Sequence, residues 1–382
     1  MRTIGLMAGT SLDGVDAAVA DLDVRDGALV LRPLGGLTHP YSPELGTALR
    51  AALPPALVDL GTVCELDTRI GQEFAAAAVT ANTRIADGRA TLVSSHGQTV
   101  FHWVQDGETR GTLQLGQPAW IAERTGLPVV ADLRSRDVAA NGQGAPLVGL
   151  VDAMLLRGLP GRVALVNIGG IANVTVLDGN GDAVAFDTGP GNALLDAAAH
   201  HFSSGALDRD ENGVWARSGT VLPQLLERLL AEPYYRRAAP KTTGKELFHG
   251  DYLRRALAGQ RPEPADVLAT LTELTARTIA AALRPYGVTE LRVSGGGTHN
   301  RSLMAALRTR TGLEVRDTAE LGFDPDLKEA YAFAVLGFLS VQGWAATEPS
   351  TTGAVGPRVL GAVTPGHTGT RPPRQLHIDR YV

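Results

Sequence analysis

The chain opens with an apolar run at residues 3–8, breaks at Gly9-Thr10-Ser11-Leu12-Asp13-Gly14, and resumes with partly alternating apolar positions over 15–22. This pattern predicts strand, tight turn, strand, with a third strand at 29–37. Leu66, Ile70, Phe74 and Ala78 then recur every four residues and mark one apolar face of a helix over 65–84. A short buried strand is predicted at 91–94, another ends before Asp132, and Pro118 opens a helix at a position that suits proline. From residue 162 the opening pattern returns: strand at 162–167, turn at Gly169-Gly170, strands at 172–177 and 183–186. Helices are predicted over 192–201, 222–231, 265–283, 301–311 and 327–339, with a strand at 291–294. The stretch from Gly353, rich in Gly, Pro and Thr, reads as loop. The restart comes about 160 residues after the first unit, far beyond the period of repeat arrays, so it predicts a duplicated domain.

Short glycine turns between the leading strands of each half imply antiparallel hairpins. A dinucleotide-binding fold is thereby disfavoured, because it requires a helix directly after the first glycine turn. A length of 382 residues suits two domains with a cleft between them. The division read is 1–138 with the tail from about 355 to 382 as one domain, and 139–354 as the other. A net charge of -5 and the absence of any Lys/Arg cluster argue against nucleic acid as a partner. The apolar N-terminal run is too short for a signal peptide or a membrane span, so no membrane partner is expected. Cys64 is the only cysteine, which fits a reducing compartment, and a cytoplasmic location is expected. Its helical setting predicts a core residue rather than a nucleophile.

Gly9, Thr10, Ser11, Leu12, Asp13 and Gly14, continued by Val15 and Asp16, could cradle polyphosphate, with Asp13 holding magnesium directly or through water. An ordinary hairpin tip is the alternative. A second turn, Asn167-Ile168-Gly169-Gly170-Ile171-Ala172-Asn173, occupies the same place in the second unit, and the pair could clamp the phosphates of ATP. Lys245 lies in Thr-Thr-Gly-Lys without the spaced first glycine of a P-loop, and reads as a solvated helix-start lysine. Gly295, Gly296 and Gly297 precede Asn300 and a helix, leaving room for a flat ring against the backbone; Asn300 as a simple helix cap is the alternative. Asp187, before Gly189-Pro190-Gly191, could serve as a general base, or merely cap its turn. Arg134 could pair with a sugar carboxylate, or belong to a surface ion-pair network. His96 and His102 lack the spacing of a helical metal pair and read as a polar wall or core residues. Glu329 is a further carboxylate, at the start of an apolar helix.

In their order, Gly-Thr-Ser-Leu-Asp-Gly, Gly-Gln-Gly-Ala-Pro-Leu-Val, Asn-Ile-Gly-Gly-Ile-Ala-Asn and Asp-Thr-Gly-Pro-Gly-Asn resemble the motif series of anhydro-N-acetylmuramic acid kinases over nearly the whole chain. The resemblance implies an α/β protein of two duplicated ribonuclease-H-like domains, the actin-like ATPase fold, with mixed sheets flanked by helices around an ATP cleft. It implies ATP and Mg2+ as cofactors and an anhydro amino sugar as the small-molecule partner. The first phosphate loop would be residues 9–16, the second Asn167 with Gly169 and Gly170, and the adenosine site Gly295 to Gly297 with Asn300. Asp187 matches the catalytic base, and His96, Gln98, Arg134 and Glu329 are expected on the sugar. The implied reaction is hydrolytic phosphorylation of 1,6-anhydro-N-acetylmuramate in peptidoglycan recycling, with a homodimer as the expected assembly. Ala8, Asn141 and Gly149-Leu150-Val151-Asp152 depart from the family's usual residues. The alternatives are a kinase for another anhydro sugar, such as levoglucosan, and a non-enzymatic ATP-gated binding protein.

Overall fold

A computed structural model describes residues 1–369 except 10, 11, 55, 106, 107, 240, 245, 246, 348 and 368. Thr10, Ser11 and Lys245 therefore lie outside the described residues, as does the tail from 370. The strands are β1 (Arg2–Ala8), β2 (Gly14–Arg25), β3 (Ala28–Pro40), β4 (Leu92–Gln105), β5 (Glu108–Leu115), β6 (Val129–Ala131), β7 (Val163–Ile168), β8 (Ile171–Leu177), β9 (Ala183–Pro190), β10 (Glu290–Ser294), β11 (Glu314–Asp317) and β12 (Ala362–Thr364). The helices are α1 (Pro43–Ala52), α2 (Leu60–Arg84), α3 (Pro118–Thr125), α4 (Ser135–Ala139), α5 (Gly149–Arg157), α6 (Ala193–Phe202), α7 (Val214–Ser218), α8 (Pro223–Leu230), α9 (Gly250–Leu257), α10 (Pro264–Leu283), α11 (Arg301–Thr311), α12 (Lys328–Val341) and α13 (Pro349–Thr352).

The two sheets carry the same topology. The first has the order β3-β2-β1-β4-β6, extended by β12 on β6 and by β5 on β4. The second has the order β9-β8-β7-β10-β11. In each, the three leading strands are antiparallel and the next two are parallel to the first. This is the ribonuclease-H-like arrangement, present twice, and it bears out the duplication read from the hydrophobic pattern. Strand β4 runs well past the short segment expected at 91–94, because β5 folds back on its outer half. The tail expected as loop contributes β12, which closes the edge of β6.

Strand β1 is buried on both faces. Ile4, Leu6 and Ala8 join the core under α2, whereas Met7 joins the core under α12; along β2, Val15, Ala17 and Val19 face the first core and Ala18, Ala20 and Leu22 the second. A strand covered on both sides reads as a continuous apolar run, which is why alternation was only partial. Helix α12 is apolar all round and nearly wholly buried, the pattern of an internal helix. It packs on β1, β2 and β4 of the first sheet, although its position in the chain falls in the segment assigned to the second domain. The approach is close enough that a Cβ on Gly5 would sit 1.9 Å from the Ala330 carbonyl oxygen, and one on Gly337 would sit 2.4 Å from the Ser94 Cβ. Cys64, expected in a helix core, is exposed on α2, since that helix turns Leu66, Ile70 and Phe74 inward instead.

Candidate active site

The second glycine turn is built onto the start of α6. The backbone N–H groups of Gly191 and Ala193 donate to the Gly170 carbonyl at 2.9 and 3.0 Å, and that of Asn192 donates to the Gly169 carbonyl at 2.8 Å. The Asn192 side chain donates to the Ile168 carbonyl at 3.2 Å. Asn167 is buried and accepts from Ser294 Oγ at 3.3 Å, so it ties β7 to the end of β10.

The three glycines after β10 have different reasons. A Cβ on Gly295, which has φ +80°, would meet Asn167 Oδ1 at 2.6 Å, and one on Gly297 would meet Ile168 Cγ2 at 2.4 Å. Both are required by packing against β7. A Cβ on Gly296 would find its nearest neighbour, Asn192 Nδ2, only at 4.0 Å, so this glycine faces open space. Asn300 caps α11 by accepting from Leu303 N at 3.0 Å, as the simpler reading of that residue had it.

In the first loop, Gly9 is held from below: its carbonyl accepts from Gln98 Nε2 at 3.1 Å, while Tyr41 donates to Gln98 Oε1 at 3.2 Å. Gln98 is fully buried, and both ends of its amide are used inside the protein. Leu12 and Val15 are buried under the loop, Gly14 is pressed against the His39 carbonyl, and Asp13 is exposed at the tip. Asp16 accepts from Thr38 Oγ1 at 2.6 Å. Its pKa is pushed up to about 6, chiefly by burial and further by the carboxylates of Asp13, Asp326 and Glu329. Between the ordinary carboxylate value and about 6, the folded chain holds a proton here that the unfolded chain releases, so this group's contribution to stability falls as pH rises through that window. Asp16→Asn is therefore expected to raise Tm relative to wild type at pH 7.5 and to lose that advantage at pH 4. An equal difference at both pH values would remove Asp16 as its source.

Arg134 follows β6 and is fixed at two points. Its Nε–H donates to His96 Nε2 at 2.9 Å and its Nη1–H to the Gly144 carbonyl at 2.5 Å. Because His96 accepts at Nε2, its proton sits on Nδ1, which donates to the Gly97 carbonyl at 2.8 Å. Burial, with Arg134 beside it, holds His96 well below the ordinary imidazole value, so it stays a neutral acceptor. Phe333 of α12 lies 4.7 Å away, ring to ring. His102 is likewise lowered, to about 4, by burial first and Arg134 second, and bonds Thr109 and Thr112. Asp137 braces the same loop, accepting from Gly144 N and from Thr352 Oγ1, both at 2.7 Å.

Asp187 sits in β9 beside a register shift that places two residues opposite one on β8, a bulge that re-aims the side chains there. Its Oδ2 accepts from Thr243 N at 2.9 Å, its N–H donates to the Lys241 carbonyl at 3.0 Å, and its own carbonyl accepts from Tyr234 Oη at 2.7 Å. Lys241 lies over the Tyr234 ring at 4.7 Å, with its pKa lowered by burial and supported by the Asp187 charge. Burial lowers the pKa of Arg134 as well, and the charges of Glu329, Asp137 and Asp187 oppose that shift. Glu329, half-buried at the start of α12, is raised by burial against the pull of Lys328 and Arg134. Arg134, Glu329 and Asp187, scattered over almost 200 residues of sequence, thus share one electrostatic neighbourhood. The segment 241–243 and Tyr234 were not read as part of it. The 241–243 segment reaches Asp187 through its backbone groups, which carry no residue signature, and Tyr234 through its hydroxyl on the Asp187 carbonyl.

Two sheets of equivalent topology, glycine-rich turns at corresponding places in the sequence and carboxylates whose charges act on a half-buried arginine fit a kinase of the actin-like ATPase fold. The chain belongs to the anhydro-N-acetylmuramic acid kinase family, whose model matches residues 1–366. Relatives named for that activity are 59% identical in Streptomyces avermitilis, over 98% of this chain and 97% of the relative, and 54% identical in Streptomyces coelicolor, over 99% of each. One from Rhodococcus erythropolis is 53% identical over 97% of this chain and 95% of its own length. The chain is accordingly an ATP-using kinase that acts on a small anhydro sugar, and the binding-protein alternative is not favoured. No helix among the described residues is long and apolar enough to cross a membrane.

Proposed function

We propose that the protein converts 1,6-anhydro-N-acetylmuramate, ATP and water to N-acetylmuramate 6-phosphate and ADP, with Asp187 as general base. The observation that carries this is that the charges of Asp187 and Glu329 both act on Arg134, which puts a candidate base, a second carboxylate and a cation fixed at two points in one electrostatic neighbourhood. A water oxygen bonds to C1 of the sugar while its proton passes to Asp187. The C1–O6 bond breaks, and O6 takes the γ-phosphoryl group as its bond to the departing ADP oxygen breaks. An anhydro sugar has no free O6 hydroxyl, so bridge opening and transfer must be coupled.

The nucleotide reading assigns the phosphates to the two glycine loops and the adenosine to the open face at Gly296. Mg2+ would neutralise charge on the phosphate oxygens. The charges of Asp13, Asp326 and Glu329 act on Asp16, a negative setting that attracts a cation, and no group of three described side chains could ligate a metal alone. This is consistent with Asp13 holding Mg2+ through water, the remaining positions going to phosphate and solvent. A cytoplasmic setting, where ATP is supplied and the exposed Cys64 stays reduced, belongs to the same reading. So does a homodimer, for which Phe101, Trp103 and Leu113 offer exposed apolar surface on the β4–β5 ribbon.

In ¹⁸O-water the heavy oxygen is expected at C1 of the sugar phosphate and not in the phosphoryl group, when the product is read before its anomeric hydroxyl exchanges. Label in inorganic phosphate would mean a plain ATPase. Free N-acetylmuramate formed at a comparable rate without nucleotide would mean a hydrolase.

A further inference from the structure

Lys328 and Asp152 form an ion pair shut away from water: Nζ lies 2.7 Å from Oδ1 and donates to Oδ2 at 2.8 Å, with side-chain exposures of 5% and 2%. Thr175 Oγ1 completes it by donating to Asp152 Oδ2 at 3.2 Å. The three residues come from two bodies. Lys328 is the first residue of α12, which the close contacts at Gly5 and Gly337 lock to the first sheet. Thr175 is on β8, and α5, which carries Asp152, packs on β7, β8 and β9 and, through Leu150 and Val151, also against the core under α12. The pair therefore joins the two lobes, and it does so one residue before Glu329.

We propose that Lys328 and Asp152 are positioning residues, whose buried ion pair pins Glu329 on the first lobe to the lobe that carries Asp187. The physical reason lies in desolvation. Separating two dry, opposite charges leaves both uncompensated, so the lobes turn about this point rather than slide past it. The Glu329 carboxylate then keeps its place relative to the lobe that carries Asp187. The proposal rests on the kinase reading for its catalytic consequence, though not for its structural one.

The test is the triple variant Lys328→Met, Asp152→Leu, Thr175→Val, which replaces the polar cluster by apolar groups of similar size and leaves no orphaned charge. It is compared with Asp152→Asn, which strands Lys328. Asp152→Asn is expected to lower Tm, and the triple variant to recover it. The triple variant is nonetheless expected to lose about tenfold or more in kcat/KM for the anhydro sugar, since small misplacements of reacting groups carry such costs. Its affinity for ATP alone should not change. Amide hydrogen exchange at residues 327–330, read with ATP bound and no sugar, is expected to quicken in the triple variant. Recovery of kcat/KM together with Tm, or unchanged exchange at 327–330, would overturn the proposal. A wild-type protein inactive on the sugar would instead overturn the function reading, while the exchange measurement would still decide the pin. Should the triple variant not fold, Asp152→Glu decides: the longer carboxylate keeps the charge but shifts its point of contact, so normal Tm with normal kcat/KM overturns the proposal, and normal Tm with lowered kcat/KM upholds it.

Discussion

Asp187→Asn is expected to fold and to bind ATP as the wild type does, while losing about 10²- to 10⁴-fold in kcat, the usual worth of a general base. The substitution is nearly isosteric. An asparagine can turn its amide oxygen toward Thr243 N, preserving the 2.9 Å bond that holds the 241–243 segment, and the backbone bonds to Lys241 and Tyr234 do not involve the side chain. What disappears is the capacity to take a proton from water. Steady-state ADP release with the anhydro sugar, alongside calorimetric titration of ATP, separates the two quantities. Turnover close to wild type would remove Asp187 from the role. Loss of ATP affinity in step with turnover would point instead to a damaged cleft.

Arg134→Lys is expected to lower kcat/KM for the sugar about 100-fold, with ATP affinity retained. A lysine keeps the charge but offers one nitrogen, whereas the guanidinium uses two nitrogens at once, on His96 Nε2 and on the Gly144 carbonyl. One of those acceptors is left unpaired in a buried place, at a cost of about 1–3 kcal/mol. The cation also loses the orientation, fixed by His96 and Gly144, in which the charges of Glu329 and Asp187 act on it. A chemical-denaturation midpoint and a sugar-dependent rate, measured on the same preparation, test both parts. Unimpaired kcat/KM would show that charge alone suffices and that the two-point fixing is incidental.

Much of this was legible in residue order. Hydrophobic periodicity located most strands and helices, the restart after residue 162 announced the duplication, and short glycine turns fixed the leading strands of each half as antiparallel. Those are local properties: a turn too short for a crossover helix admits one pairing only. The ordered motifs likewise carried the family, because each is contiguous in sequence.

What the sequence could not decide is what touches what over long separations. Nothing in the run Leu327-Lys328-Glu329-Ala330 says that its helix, late in the chain, lies under β1 at the start of it; only the missing Cβ atoms of Gly5 and Gly337 permit that approach. Nor does the triplet Gly295, Gly296, Gly297 reveal that two members serve packing on β7 and one faces open space. His96 and Gln98 are expected on the sugar from the motif resemblance, but that their side chains hold Arg134 and the first loop in place could not be read from the sequence. In both cases the deciding quantity is which partner a buried polar atom finds. A buried donor or acceptor must be paired, but the partner is chosen by tertiary packing, and chain order carries no record of that choice.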